Sequence, residues 1–304
     1  MSKAQAIKRQ KRPKGNFHQT LAPSLFLLPN AAIFVLFIII PAVQGLYMAF
    51  TDWSILGTPK PIGLKNYAKL FNDRVFGITV KNTLVYCFFT VLLITLLAML
   101  LALMLYKNKL KGEKAFRSAF YVPSLMSMIT VGIAWRFVLG DEMGIINYLI
   151  RLLGGKGIPF LTDTALAMFS IIFVSIWAQA GYYMVIMISG LQAIPYELYE
   201  ASRIDGANSL QAFFDITLPL LKPTILVVMV LSTIASFKAY ELINVMTGGG
   251  PGYATKMIVQ QIYQVAFTED RMGYAAAMST LLMAIIGVFT FIQFRLTGRS
   301  EDYE

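Results

Sequence analysis

Charged residues are scarce in this chain: 14% of 304 residues, against 57% hydrophobic, where an ordinary soluble domain carries roughly 25% charged residues. That shortage argues against a soluble globular domain and points to lipid as the solvent. Cys87 is the single cysteine, which excludes an internal disulfide; within an apolar run it reads as a small packed side chain. His18 is the single histidine, and in a basic tail it reads as solvated, so no metal site is expected. A GxxxxGK[ST] phosphate loop is missing. The chain is therefore not expected to bind ATP by that route or to act as an enzyme. There is no tandem repeat, and no low-complexity tract beyond the basic tail.

What is present is a series of long windows free of charge. A spanning helix needs about 20 mainly apolar residues, and six windows meet that need: about 25–50, 82–106, 118–139, 165–190, 224–246 and 273–294. The third carries Arg136 near its far end, beside Trp135, and reads as an arginine snorkelling to the outer interface. The fifth carries Lys238 and Glu241. The expected fold is all-α: a polytopic membrane protein with six transmembrane helices. The first window follows a basic tail, as in a secretory signal, but a signal's apolar region is only about 7 to 15 residues long. This one is nearly twice that and contains Pro29 and Pro41, so it reads as an uncleaved span.

The net charge of +10 is a topology signal, since cytoplasmic loops retain Lys and Arg, and nucleic acid is not an expected partner. With the N-terminus inside, the inner segments hold fifteen Lys and Arg: Lys3, Lys8, Arg9, Lys11, Arg12 and Lys14 in the tail, five from Lys107 to Arg117, then Arg203, Lys222, Arg295 and Arg299. The outer segments hold nine. Both termini are expected inside, with a basic tail at 1–20, a membrane-spanning domain at 21–297 and a short tail at 298–304. The outer loops, about 51–81, 140–163 and 247–274, are rich in turn residues.

The inner loop 192–223 breaks the pattern, with Glu197, Glu200, Asp205 and Asp215 against Arg203 and Lys222. Pro195 suits a helix start, residues 196–204 are adequate helix formers, and Asp205-Gly206 supplies a stop. Asn208 or Ser209 could cap a second segment that ends before Pro219 and Pro223. The expectation is helix, sharp bend, helix.

These residues carry a resemblance. Glu200-Ala201-Ser202, Asp205-Gly206-Ala207, then Ile216, Leu218 and Pro219 stand at the spacing of the EAA motif of ABC importer permeases, with Ser202 in place of its second alanine. Gly63-Leu64-Lys65-Asn66-Tyr67, Tyr121-Val122-Pro123, Thr247-Gly248-Gly249-Gly250-Pro251-Gly252 and Gly273-Tyr274-Ala275-Ala276-Ala277 resemble the sugar branch of that family. The Gly-rich loop followed by Tyr263 and Phe267 resembles the subunit class typified by the maltose permease MalF. The resemblance implies a type I ABC importer transmembrane domain for a mono- or oligosaccharide, with glycerol-phosphate or another polar solute as the alternative. It also implies four kinds of partner: a second permease subunit in a heterodimer, an ABC ATPase dimer that binds ATP and Mg, an extracytoplasmic solute-binding protein, and membrane lipid. The chain itself would hold no cofactor. Its EAA loop would couple ATP hydrolysis to the spans: Glu200 would face a partner cation, Ala201 and Ser202 would permit close approach, and Gly206 would permit a conformation closed to other residues. The bland alternative is a solvated loop with a Glu200–Arg203 pair worth tenths of a kcal/mol.

For a substrate path, two polar stripes stand out at helical spacing: Ser175, Gln179 and Tyr182 on the fourth span, and Ser232, Ser236 and Tyr240 on the fifth. The resemblance places sugar contacts near these helices, although hydroxyls in membrane helices also bond to neighbouring helices or to their own backbone. Lys238 and Glu241, at i and i+3, either neutralise each other or touch substrate. An ion-coupled secondary carrier is the remote alternative. It would call for repeated halves and central ionisable groups, and only these two residues are candidates.

Overall fold

A computed structural model describes residues 17–107 and 112–297; residues 1–16 of the basic tail, Lys109 and Lys111 of the basic inner stretch, and the tail at 298–304 lie outside the described residues. The chain divides into two units, Met1–Tyr47 and Met48–Glu304. The first contains α1 (Phe17–Phe34), a π turn (Val35–Ile39) and the start of α2 (Ile40–Met48), which together run as one apolar helix over Leu25–Met48. Pro41 explains the π turn. A proline lacks an N–H and its ring clashes with the carbonyl four residues back; widening the turn so that the Ile40 N–H donates to Val35 O lets the helix continue into it.

In the second unit a two-stranded ribbon, β1 (Thr51–Asp52) and β2 (Lys60–Pro61), runs antiparallel with Thr51 opposite Pro61. The buried Asn66 of α3 (Lys65–Phe71) donates to Ala49 O and Thr51 O at 3.0 and 2.9 Å. Next comes α4 (Arg74–Lys107), 34 residues long, beginning eight residues before the expected span because Asp73 caps it. The Asp73 carboxylate accepts from the N–H groups of Val75 and Phe76 and from the Tyr274 hydroxyl at 2.8 Å. Burial pushes this carboxyl up, but those hydrogen bonds and the Arg271 charge outweigh it and leave its pKa below the usual carboxylate value.

The third expected span is not one helix. α5 (Glu113–Tyr121) passes into a 3-10 turn (Val122–Leu125), and α6 (Met128–Val138) then leaves at 99° to it. Pro123 cannot donate to the ladder, and Met126 and Ser127 are extended, with the Ser127 Oγ accepting from Ile129 N to start α6 afresh. Arg136 reaches the Val245 carbonyl at 3.4 Å, while Trp135 packs edge-on against Trp177 and Phe173. After α7 (Ile145–Leu152) comes the central helix α8 (Leu166–Gln192), then α9 (Tyr196–Ile204) and α10 (Ser209–Ala212).

A second π turn (Phe213–Thr217) leads into α11 (Leu218–Phe237), so the segment expected to end before Pro219 and Pro223 runs through both. The reason is the one seen at Pro41: the Leu218 N–H donates to Phe213 O just ahead of Pro219. The fifth expected span is also corrected, because α11 stops at Phe237 and the short α12 (Glu241–Met246) follows a break at residues 238–240. The last of the loops expected outside contains α13 (Ile258–Tyr263) and a π turn (Gln264–Thr268), and α14 (Met272–Thr297) closes the bundle. Among the described residues, five helices are long and apolar enough to cross a membrane, or six with the bent pair.

α8 packs along α4, α11 and α5. On α4, Tyr86, Ile94, Ala98 and Ala102 are buried while Phe88, Leu92, Leu96 and Leu100 stay exposed, an outward apolar face suited to lipid. Hydrocarbon supplies no hydrophobic drive between helices, so small residues and interhelical hydrogen bonds hold them. Tyr86 bonds to Ser175 at 2.8 Å, Gln293 donates to Thr233 at 2.7 Å, and Tyr67 bonds to Thr280 at 2.8 Å. Cys87 is buried, as its apolar setting suggested.

The closest backbone approach is at Gly181, where a Cβ would lie 1.9 Å from the Phe120 carbonyl oxygen. Backbone cannot yield as a side chain can, so Gly181→Leu is expected to lower the melting temperature of the purified chain by several degrees, an overpacking cost of about 1–3 kcal/mol. Gly287→Leu, with open space around it, should be near neutral. Equal melting temperatures would refute the close crossing of α5 and α8.

Candidate functional site

The loop between α8 and α11 is built as a fixed bend. α9 ends in paired bonds, Ala207 N to Ser202 O at 2.9 Å and Gly206 N to Arg203 O at 3.1 Å, the pattern of a Schellman cap, which needs a left-handed residue at its turn. Gly206 supplies it at φ +81°. Two residues later Asn208 opens α10: its Oδ1 accepts from the N–H groups of Leu210 and Gln211 at 2.9 Å, and the Gln211 side chain accepts from Asn208 N at 2.8 Å. This capping box satisfies orphan donors at the start of α10, as the Schellman bonds satisfy orphan carbonyls at the end of α9. Tyr199 and Thr217 bond across at 2.9 Å and tie α9 to the foot of α11.

Glu200, Ala201 and Asp205 are exposed on this bend, Ser202 and Ala207 are half-buried, and Ser202 Oγ donates to Tyr199 O. Ile216 packs into the core beside α8, Leu218 opens α11 and Pro219 is exposed. Arg203 reaches the Tyr196 hydroxyl at 3.5 Å, so the Glu200–Arg203 pair does not form. Sequence reasoning missed Ile204 and Leu210, 86% and 69% exposed. Glu197, Glu200, Ala201 and Ile204 share one face of α9 by their i, i+3, i+4, i+7 spacing, and that periodicity was the available signal. The bend thus presents a small apolar knuckle edged with carboxylates.

The expected polar stripes are divided. Ser175 is buried between α4 and α8, bonded to Tyr86 and to Gln179 Nε2 at 2.9 Å. Gln179 is half-buried, and Tyr182 is exposed, edge-on to Tyr183. Ser232 is buried and donates to Val228 O at 2.7 Å, within its own helix; Ser236 is buried next to the helix end. Lys238 caps α11 and Glu241 begins α12, with the backbone break between them and no ion pair formed. Their expected helical i, i+3 relation is therefore corrected: Tyr240, at φ −140° and ψ −58°, turns the chain between them.

Tyr240 instead joins a group that sequence reasoning left in a loop. With Asn244, Lys256, Gln260, Tyr263 and Gln264 it lines a cavity of about 540 Å³, inside the roughly 300–1,000 Å³ of small-ligand pockets. Lys256, Gln260, Gln264 and Phe267 recur at helical spacing, a signal that lay inside a segment read as a turn-rich loop.

A family model described as the binding-protein-dependent transport system inner membrane component matches residues 94–301, taking in the bend, α8, α11 and the cavity. The chain belongs to that family. It is a membrane-spanning permease of an ABC importer. It is similar to the probable ABC transporter permease protein YurN of Bacillus subtilis (strain 168), 36% identical over 92% of this chain and 98% of that one. It is also similar to AmyD of Thermoanaerobacterium thermosulfurigenes, a probable starch degradation products transport system permease, 34% identical over 91% and 94%. Among solved structures, a chain of a bacterial alginate ABC transporter in complex with alginate pentasaccharide-bound periplasmic protein matches with a TM-score of 0.83, 26% identity, and 94% and 96% coverage.

In the permease the Gly206 turn has nothing within 4 Å of a Cβ, so substitution there is penalised by backbone conformation alone, about 1–2 kcal/mol. Gly206→Val and Asn208→Ala, the latter losing a cap worth about 1 kcal/mol, should each speed amide hydrogen exchange across residues 196–217 several-fold and leave α8 unchanged. Unaltered exchange in both would mean that the caps do not fix the bend.

Proposed function

We propose that the permease forms half of a membrane pathway that imports a mono- or oligosaccharide, handed over by an extracytoplasmic binding protein and driven by a separate ABC ATPase dimer. A second permease completes the pathway as a heterodimer. ATP and Mg belong to the ATPase, and this chain holds no cofactor. The observation that carries the reading is the capped knuckle of residues 196–217: a fixed shape with exposed Glu200, Ala201 and Ile204 suits a docking contact that must pass force to α8 and α11 on either side of it. The saccharide class is supported by the naming of the AmyD relative for starch degradation products and by the alginate complex as a structural neighbour. A phosphate ester such as glycerol-phosphate is the second reading, favoured by the buried cation Lys256.

In this reading the transport domain spans residues 21–297 and both termini are cytoplasmic, which the excess of Lys and Arg on the segments then placed inside supports. The knuckle then lies on the ATP side, and the cavity at Tyr240 and Lys256 toward the side where the binding protein delivers solute. Ser175, Gln179, Tyr182, Ser232, Ser236, Lys238, Tyr240 and Glu241 remain the pathway candidates. Tyr182, Lys238 and Glu241 are exposed and Gln179 and Tyr240 half-buried, while Ser175 and Ser232 are already hydrogen-bonded within the bundle and Ser236 is buried.

Two observations test the proposal together. A cysteine at Asn208 should react with an impermeant maleimide only after the membrane is opened, and one at Gly252 in intact cells. In proteoliposomes holding the permease with its partners, saccharide uptake should require ATP hydrolysis and be indifferent to an ion gradient. Reversed labelling would sink the topology, and gradient-driven uptake with the ATPase inactivated would favour the carrier.

A further inference from the structure

We infer that the cavity around Lys256 is a subsite for the anionic group of an acidic saccharide, a uronate carboxylate or a phosphate ester, an inference that rests on the reading of the chain as a saccharide permease. Lys256 is 8% exposed, and no other charged side chain among the described residues is buried to that degree. Burying an ammonium is costly unless it is paired, yet Lys256 forms no ion pair among the described residues, where the pairs are Glu113–Arg117 and Glu269–Arg271. Its Nζ donates to Gln264 Oε1 at 2.5 Å and lies 5.2 Å from the centre of the Tyr253 ring. Gln264 in turn donates to Glu269, so the nearby acid is one amide removed and already has Arg271. An ammonium carries three donors, and a single protein acceptor is in place.

The rest of the lining is left rich in donors. Gln260 Oε1 accepts from Met257 N at 3.1 Å, Asn244 Oδ1 accepts from Gln260 Nε2 at 3.4 Å, and Gln264 Oε1 accepts from Lys256. Each of the three amide oxygens has one lone pair engaged in this way, and the free donors are the Asn244 amide N–H groups, the second N–H of Gln260 and of Gln264, two N–H of the ammonium and the hydroxyls. With a buried ammonium that lacks a carboxylate partner among these donors, an anionic oxygen gains a charge-assisted hydrogen bond that a neutral sugar hydroxyl does not. Tyr240 and Tyr263, with ring centres 5.6 Å apart, and Phe267, 5.0 Å beyond Tyr263, add an apolar surface for the C–H face of a sugar ring. Burial lowers the pKa of the Lys256 ammonium, opposed by the charge of Glu269; an anion in the cavity would act in the same sense as Glu269.

The test uses the full permease assembled with its second permease and ATPase, and follows carbamylation of Lys256 by cyanate through mass spectrometry, with trigalacturonate, glycerol 3-phosphate or maltotriose as probe. Protection of about tenfold is expected, the scale of one charge-assisted hydrogen bond. Protection by trigalacturonate identifies a carboxylate and protection by glycerol 3-phosphate a phosphate, with maltotriose without effect. Lys256→Arg should preserve stimulation of ATP hydrolysis by the protecting probe delivered on its binding protein, and Lys256→Met should lose it. Equal protection by maltotriose, or none by either anion, overturns the inference. So does loss of the second permease from the complex in Lys256→Met, which would make Lys256 a partner to an acid of that subunit. Saccharide-stimulated ATP hydrolysis without anion protection removes the subsite and leaves the importer reading standing. No stimulation by any saccharide, neutral or acidic, removes the saccharide reading itself.

Discussion

Inside a bilayer every backbone N–H and C=O must find a partner within the protein, and the form of this permease follows from how it meets that demand wherever a helix cannot continue unchanged. Pro41 and Pro219 are each preceded by a π turn that hands the ladder on one residue late. At Pro123 the chain does not continue and bends by 99° instead, with Ser127 restarting the ladder. At the bend between α9 and α10, Gly206 and Asn208 satisfy the loose ends within a few residues. Each irregularity is closed locally, so the elements on either side can act as rigid pieces.

That closure links the knuckle to the bundle. α8 enters the loop and α11 leaves it, Tyr199 and Thr217 hold the two arms together, and the continuous run of Ser209–Phe237 carries any displacement of the bend toward the break at residues 238–240. At that break lies Tyr240, and with it the cavity at Lys256. Knuckle and cavity therefore sit at opposite ends of one helical rod, the arrangement needed if a push at one end is to alter a site at the other.

Much of this was legible in the sequence, because composition and charge-free windows report directly on lipid, and because Asp205-Gly206 followed by Asn208 carries its bend in local chemistry. What was not legible depended on tertiary partners. The early start of α4 at Arg74 needs the Asp73 cap and Tyr274 from a distant helix. The run of α11 through Pro219 needs a π turn that no local preference announces. The bond between Ser175 and Tyr86 and the burial of Lys256 likewise depend on how distant segments pack.

The central claim is that residues 196–217 form a rigid docking knuckle for an ATP-hydrolysing partner. The most direct measurement places a photo-reactive side chain at Ala201, irradiates intact cells and identifies the adduct by mass spectrometry. The account predicts a polypeptide carrying a GxxxxGK[ST] phosphate loop, cross-linked at Ala201 and lost when Glu200 is changed to Lys. An adduct with lipid alone, or with an extracytoplasmic protein, would contradict it.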